Sequence, residues 1–314
     1  MQASAVISQQ WVRRAGLALA LLSSAASCSS ASNSTAVSTA VSVGSHAGHD
    51  NAVVAGAPDV PVAGAQGRVP QFLVECPFSH ALADDPIVYP GVAGASHVHV
   101  FFGNDGANAG STYDSLLAGT SACDQPEDTA SYWVPALMQG DTMLTPTKSV
   151  AYYRPGEGID PVSVQPYPPG LEIIAGDGSA EAEQSTAVVA WTCGAGITRM
   201  ASPPSCPISR PLRLMITFPD CWDGEHVDSD DHRSHMAYSS RGSCPAAHPV
   251  AVPQLQLAVV YSFSGDPSGL SLSSGSILTG HADFFNAWVQ DKLAGEIDAC
   301  IHRKVVCGVT SGRK

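Results

Sequence analysis

Seven short runs of β-branched, aromatic and other apolar residues, broken by glycine and proline, most constrain the fold of this 314-residue chain. In chain order they are QFLVE, HVHVFF, SVAYYR, LEIIAG, AVVAWTC, LRLMITF and LQLAVVYSF. Repeated short strands with such turn signals are typical of sandwiches and barrels. The sequence therefore predicts one mainly β domain over residues 69–314, a sandwich or an irregular barrel-like sheet with long loops.

One segment near the C-terminus has helical spacing. In DFFNAWVQDKLAGEIDACIH the large apolar side chains recur roughly once per helical turn. They are Phe285, Trp288, Leu293, Ile297 and Ile301. We therefore expect a C-terminal helix beginning near Asp283, whose carboxylate would cap the helix or favour its positive N-terminal end.

Residues 1–27 have the composition of a secretory signal segment. Arg13 and Arg14 precede an apolar run, AGLALALLSSAAS, that is too short to span a membrane. Small residues lead up to Cys28, as a lipoprotein signal peptidase requires, and residues 28–68 are rich in Ser, Ala, Gly and Val, which is typical of a flexible tether. We predict an exported protein that is secreted, or held at the membrane only by a lipid on Cys28.

Eight cysteines remain if Cys28 carries lipid, an even number that allows four disulfides in an oxidising compartment. The connectivity cannot be read from the sequence. The simplest hypothesis pairs sequence neighbours, Cys193 with Cys206, Cys221 with Cys244 and Cys300 with Cys307.

The formal charge of the chain is −13, and removing residues 1–27 removes two arginines and no acid, which leaves 13 basic and 28 acidic residues and a charge of −15. Nucleic acid is therefore excluded as a partner, because phosphate binding needs clustered Lys and Arg. Polyanionic substrates are also disfavoured, unless one local Arg-rich site overrides the acidic surface.

Three groups of polar residues are candidates for chemistry. His97 and His99 alternate on a predicted strand, so both side chains face one side, as in many metal sites; hydrogen bonding within a polar face is the alternative.

The eighteen residues CWDGEHVDSDDHRSHMAY contain three histidines, five carboxylates and one arginine. Their acidic run suits a hard cation such as Ca²⁺ or a solvated loop. In GHADFFNAW, His281 and Asp283 would form an oriented acid or base.

Several long motifs, in one order, resemble the family catalogued as DUF1996. They include HVHVFFG, DTASYWVPAL, YYRPG, FPDCWDG, DSDDHRSHMAY and GHADFFNAW. The resemblance implies an exported protein associated with cell walls or extracellular polysaccharide, since some fungal members are joined to carbohydrate-binding modules. It implies no catalytic assignment, but it does place the polar groups in one domain.

We therefore hypothesise a His- and Asp-lined cleft that binds or cleaves an extracellular carbohydrate polymer, as a hydrolase or lyase, with a divalent metal ion as the candidate cofactor. The candidate catalytic residues are His97, His99, Asp231, His232, Arg233, His235, His281 and Asp283. The candidate metal ligands are His97, His99 and His235. Two alternatives stay open. One is a non-catalytic structural or binding module of the cell envelope, in which the polar groups form a fixed hydrogen-bond network or hold a structural metal. The other is metal scavenging with the help of His46 and His49.

Overall fold

The computed structural model describes residues 60–61 and 69–308. The predicted signal segment, Cys28, and nearly all of the predicted tether, including His46 and His49, lie outside the described residues. These assignments stay predictions. Within the described part of the chain, no helix is both long and apolar enough to cross a membrane.

Strands make up 34% and helices 11% of the structure, which confirms the predicted mainly β class. The strands are β1 (Val60–Pro61), β2 (Phe72–Leu82), β3 (His99–Gly103), β4 (Ser131–Pro135), β5 (Leu137–Gln139), β6 (Thr142–Met143), β7 (Lys148–Arg154), β8 (Glu172–Gly176), β9 (Val189–Cys193), β10 (Leu212–Thr217), β11 (Cys221–Trp222), β12 (Met236–Ala237), β13 (Val250–Ala251), β14 (Gln254–Tyr261), β15 (Leu270–Leu272), β16 (His281–Phe285) and β17 (Val305–Val306). The helices are α1 (Tyr113–Leu117) and α2 (Gln290–Glu296), with 3-10 turns at Pro161–Ser163, Pro267–Gly269 and Ile277–Thr279 and a π-helical turn at Ile297–His302.

Nine strands form one sheet in the order β8-β16-β4-β3-β2-β7-β14-β10-β9, and this antiparallel sheet curls into a nearly closed barrel. All seven predicted runs supply strands of this sheet. Because side chains alternate between the two faces of a strand, Phe102 and Tyr132 lie in the main core, whereas Phe101 and Trp133 belong to a smaller cluster on the opposite face.

A chain of hydrogen bonds runs through the main core. Trp288 Nε1 donates to the Tyr153 hydroxyl at 3.1 Å, the hydroxyls of Tyr153 and Tyr132 contact each other, and Tyr132 donates to Asp128 Oδ2 at 2.6 Å. Asp128 Oδ1 accepts from the Ala130 backbone at 3.3 Å. We call Asp128, Tyr132, Tyr153 and Trp288 the core hydrogen-bond chain; each of their polar side-chain atoms has a partner. Burial raises the pKa of Asp128 to about 8.

The predicted C-terminal helix is present, but it begins at Gln290 and not near Asp283. The segment His281–Phe285 is strand β16, in which Ala282 and Phe284 face the main core and Asp283 faces the opposite side. The expectation that Asp283 caps a helix was therefore wrong. Pairing with β4 and β8 on both sides overrides the local helical pattern.

Four disulfides brace the domain, and they include the three neighbour pairs that the sequence suggested. The bridges are Cys76–Cys123, Cys193–Cys206, Cys221–Cys244 and Cys300–Cys307. They fit an oxidising setting outside the cytoplasm. The bridge from Cys76 to Cys123 spans 47 residues, for which loop-closure entropy predicts a stabilisation of about 4 kcal/mol.

Candidate functional site

Two of the histidine motifs meet across strand β4. His99, the first residue of β3, lies opposite Pro135 of β4, and Asp283 of β16 lies opposite Trp133 of the same strand. His281 is two residues before Asp283 in β16, so both side chains occupy one face. His99 and His281 therefore approach each other from the two sides of β4, on the face opposite to the main core.

His97 completes a cluster of three imidazoles. The Val98 carbonyl accepts a hydrogen bond from the Ala136 backbone at 2.9 Å, so pairing with the β4 side continues just before β3. As expected from their spacing, His97 and His99 lie on one side, with ring centroids 4.2 Å apart. The His97 ring lies 5.1 Å from that of His281. We call His97, His99 and His281 the three-histidine cluster.

Backbone carbonyls fix the tautomers of two of these rings. His99 Nδ1 lies 2.9 Å from the Asp84 carbonyl oxygen, and His281 Nδ1 lies 2.8 Å from the Thr279 carbonyl oxygen. A carbonyl oxygen only accepts, so both Nδ1 atoms carry the proton and donate. In the neutral rings, both Nε2 atoms therefore present bare lone pairs. They face each other at 3.4 Å, a pair that cannot hydrogen-bond without an added proton or cation.

Burial disfavours a positive charge on the cluster, in which His99 and His281 are buried and His97 is half-buried. Burial lowers the pKa of His281 to about 4. Burial also lowers the pKa of His99 well below its ordinary value, and the neighbouring His97 and His281 lower it further. The pKa of the half-buried His97 is lowered by burial as well. Burial thus favours the neutral form of all three imidazoles, which is the form that binds metal ions.

The spacing of the ring nitrogens matches a metal centre. His281 Nε2 lies 3.2 Å from His97 Nε2 and 3.4 Å from His99 Nε2. Around a tetrahedral ion with metal–nitrogen distances of about 2.0–2.1 Å, ligand nitrogens lie roughly 3.3–3.4 Å apart. The Nδ1 hydrogen bonds to carbonyls are the outer contacts that orient metal-binding histidines. Two of the three Nε2–Nε2 distances therefore fit a tetrahedral zinc-like site, and one ligand nitrogen from each ring lies within 4.8 Å of the other two.

Two carboxyl groups adjoin His99. One carboxylate oxygen of Asp85, one carboxylate oxygen of Asp283 and one ring nitrogen of His99 all lie within 4.8 Å of one another. The backbone amides of Ile87 and Val88 both donate to Asp85 Oδ1 at 3.0 Å. Asp283 Oδ2 is buried and has no hydrogen-bond partner. Burial raises the pKa of both carboxyls above the ordinary value.

A glycine allows β8 to pack closely against the cluster. Gly176 pairs with His281 and has φ +81°, a left-handed conformation that favours glycine. A β-carbon at this position would lie 2.5 Å from the Gly280 carbonyl oxygen. Any larger residue would therefore push β8 away from the strand that carries His281.

The acidic loop of the eighteen-residue motif reaches the same region. Burial is the largest influence on two pKa values of the site: it lowers that of His281 and raises that of Asp283. The positive charge of Arg233, a residue of the loop, lowers both pKa values. His232 Nδ1 lies 2.9 Å from Asp228 Oδ2, and His232 has φ +57°. This part of the loop lines a cavity of about 690 Å³ together with Asp223, His226 and Asp230.

Two predicted site residues of this loop have other contacts. Asp231 Oδ1 accepts from Ser229 Oγ and from the backbone amides of Arg233 and Ser234 at 2.8–3.1 Å, and these bonds lower its pKa. His235 is buried, with Nε2 2.6 Å from the Glu172 carbonyl oxygen and Nδ1 2.9 Å from Ser229 Oγ. Both residues organise the loop. His281, and not His235, adjoins His97 and His99.

Sequence reasoning missed Asp85 and Glu172. Asp85 stands in ADDP, a composition that indicates a turn, and only the fold brings it beside His99. Glu172 opens β8 inside an apolar run; burial, followed by the charges of Asp228 and Asp85, raises its pKa to about 8. Asn286, by contrast, is structural, because its Nδ2 donates to the Pro168 carbonyl at 2.7 Å.

One family model covers most of these residues. A family model for a domain of unknown function, DUF1996, matches residues 85–288. No curated protein and no solved structure matches the chain. The matched segment begins at Asp85 and contains the whole three-histidine cluster.

Proposed function

This chain belongs to the DUF1996 family of domains of unknown function, and from this premise we propose that it is a divalent-metal-dependent enzyme that acts on an extracellular carbohydrate polymer. Its metal ligands are His97, His99 and His281. The observation that carries the proposal is the convergence of their Nε2 atoms, at 3.2 and 3.4 Å from His281, with no proton available on His99 or His281 Nε2.

Three histidines leave a coordination position for water or substrate, as in catalytic zinc sites. A bound ion there would supply Lewis acidity and lower the pKa of water. Asp85 and Asp283, which adjoin His99, are placed to accept or donate the proton that hydrolysis or elimination moves. Arg233 would orient the substrate through its fork of donors.

The proposal of a carbohydrate substrate rests on the link to polysaccharides that the family resemblance implies and on the polar cavity of the acidic loop, whose His232 acts electrostatically on Asp85. Asp223, Asp228, Asp230 and His232 line that cavity with hydrogen-bonding groups suited to sugar hydroxyls. Their acidity favours a neutral or hydroxyl-rich polymer over a polyanion at this position.

The test combines metal analysis with turnover. We expect about one zinc-like ion per chain, retained in a His226→Ala control and lost in His97→Ala/His99→Ala. His226 is a control for zinc content and not for turnover, because it lines the polar cavity but lies outside the three-histidine cluster, with its exposed ring 2.7 Å from Asp223. Product release from a polysaccharide panel should disappear on chelation. Asp283→Asn should keep the ion but slow turnover by about 10²–10⁴-fold.

A structural metal is the second candidate, because Asp85, His99 and Asp283 form a second group of possible ligands that shares His99 with the three-histidine cluster. In that case the ion would be present, Asp283→Asn would loosen it, and no polysaccharide would be cleaved with or without added metal. Retention of full zinc content by His97→Ala/His99→Ala would overturn both candidates.

A further inference from the structure

The motif YYRPG takes no part in the three-histidine cluster. Its last three residues, 154–156, line a separate cavity of about 890 Å³. Arg154, the last residue of β7, lies on the cavity wall with Arg199 from the loop between β9 and β10. Val188 and the ring of Tyr238 contribute apolar surface to the same wall. The cavity thus combines two cations with a hydrophobic lining.

The two guanidinium groups converge on one amide oxygen. With its amide oriented to satisfy its neighbours, Gln256 of β14 accepts from Arg154 Nη2 at 3.2 Å and also from Arg199 Nη2. Arg199 Nη1 donates to the carbonyls of Thr186 and Ala187, each at 3.1 Å. Neutral acceptors therefore hold the two cations side by side.

Counter-charge is lacking at this pair. In the described part of the chain, neither Arg154 nor Arg199 takes part in an ion pair. The acidic residue in the cavity lining is Glu157, which is exposed. Burial lowers the pKa of Arg154, and the charge of Arg199 lowers it further. Two adjacent, partly buried cations repel each other, and an anion bound by both would offset that repulsion.

We propose that this cavity binds an organic oxyanion of the size of a sugar acid or sugar phosphate, with its charged group held by Arg154 and Arg199. A guanidinium carries five N–H donors, and the described residues provide one acceptor, Gln256, for those of Arg154. Carboxylate and phosphate groups accept two parallel bonds from such a fork. The volume falls within the roughly 300–1,000 Å³ of small-molecule sites.

This site is independent of the proposed metal centre, since the two share no residue. Its two arginines form the kind of local basic site that allows an anion to bind to an otherwise acidic protein surface. Loss of zinc should leave it intact, and loss of anion binding should leave the zinc content intact, so failure of one proposal does not imply failure of the other.

The experiment is calorimetric titration of the disulfide-intact chain with glucuronate, glucose 6-phosphate and, as the neutral probe, glucose. We expect one of the two anions to bind at least about tenfold more tightly than glucose, and Arg154→Gln and Arg199→Gln each to weaken that binding by about tenfold or more. The better anion distinguishes a carboxylate from a phosphate ester. Arg303→Gln removes an equal charge from an exposed side chain and should have no effect.

Phenylglyoxal labelling of the unmutated chain provides a test that does not depend on folding of the variants. The bound anion should protect Arg154 and Arg199, but not Arg303, from modification. The proposal is overturned if neither anion binds better than glucose, if the variants bind as tightly as the parent chain, or if labelling of Arg154 is unchanged by saturating anion.

Discussion

Two buried polar clusters of this domain differ in how completely their atoms are hydrogen-bonded. In the core hydrogen-bond chain, every polar side-chain atom of Asp128, Tyr132, Tyr153 and Trp288 has a hydrogen-bond partner. In the three-histidine cluster, the Nε2 atoms of His99 and His281 turn their lone pairs toward each other. Asp283 Oδ2, which is also buried, has no hydrogen-bond partner among the described residues. Buried polar atoms are normally paired. The first cluster is satisfied by its own residues, whereas in the second no donor among the described residues reaches the lone pair of His99 Nε2 or Asp283 Oδ2, as the proposed metal site requires.

The largest expected difference between the clusters is their response to metal. Zinc at about a thousand times its dissociation constant should raise the free energy of unfolding of the parent chain by about 4 kcal/mol. His281→Ala should abolish this increase, and Tyr153→Phe, in the core hydrogen-bond chain, should preserve it. Thermal unfolding with and without zinc measures both. An equal increase in His281→Ala would remove the distinction between the clusters.

The next effect in size concerns the core hydrogen-bond chain without metal. Tyr153→Phe removes the acceptor of Trp288 Nε1 and the partner of the Tyr132 hydroxyl. Leaving such buried groups unpaired should cost about 1–3 kcal/mol. Urea unfolding gives the value. A loss too small to measure would mean that the chain of bonds contributes nothing beyond packing.

A pH series sharpens the role of Asp128. Its pKa is raised from 3.8 to about 8 in the folded state, mainly by burial. Between these values the folded protein keeps a proton that the unfolded chain has lost, so this group's contribution to stability falls as pH rises, by at most about 1.4 kcal/mol per pH unit. Asp128→Asn should therefore gain stability relative to the parent from acidic to mildly alkaline pH. A pH-independent difference in urea midpoints would contradict this.

The smallest stability effect is expected at Asp283. Its Oδ2 already lacks a partner, so in the metal-free protein Asp283→Asn should change the free energy of unfolding by no more than about 1 kcal/mol. Denaturation of the chelator-treated variant checks this. A loss as large as that of Tyr153→Phe would place Asp283 in a structural network, and its role would resemble that of the core chain.

The sequence was informative where local pattern and tertiary structure agree. Apolar runs predicted the seven strands because side chains alternate across the sheet, and the two-residue spacing of His97 and His99 predicted their shared face. Neighbouring cysteines predicted three of the four bridges because short loops close easily.

Other features depend on pairing between distant segments. The pattern from Asp283 to Ile301 is helical in sequence, yet β4 and β8 recruit its first residues into the sheet and bring His281 to His99. His235 was an equally reasonable ligand by composition, but it is held against the Glu172 carbonyl. Asp85 reaches the site only through the fold of its loop. No local pattern encodes such contacts.

The most direct test of the central claim is an anomalous diffraction map, collected at the zinc edge, from crystals of the chain loaded with zinc. We predict one strong peak about 2.0–2.1 Å from Nε2 of His97, His99 and His281. A map with no peak among these three rings, or with its peak only among the carboxylates of the loop around Asp228 and Asp230, would contradict the account.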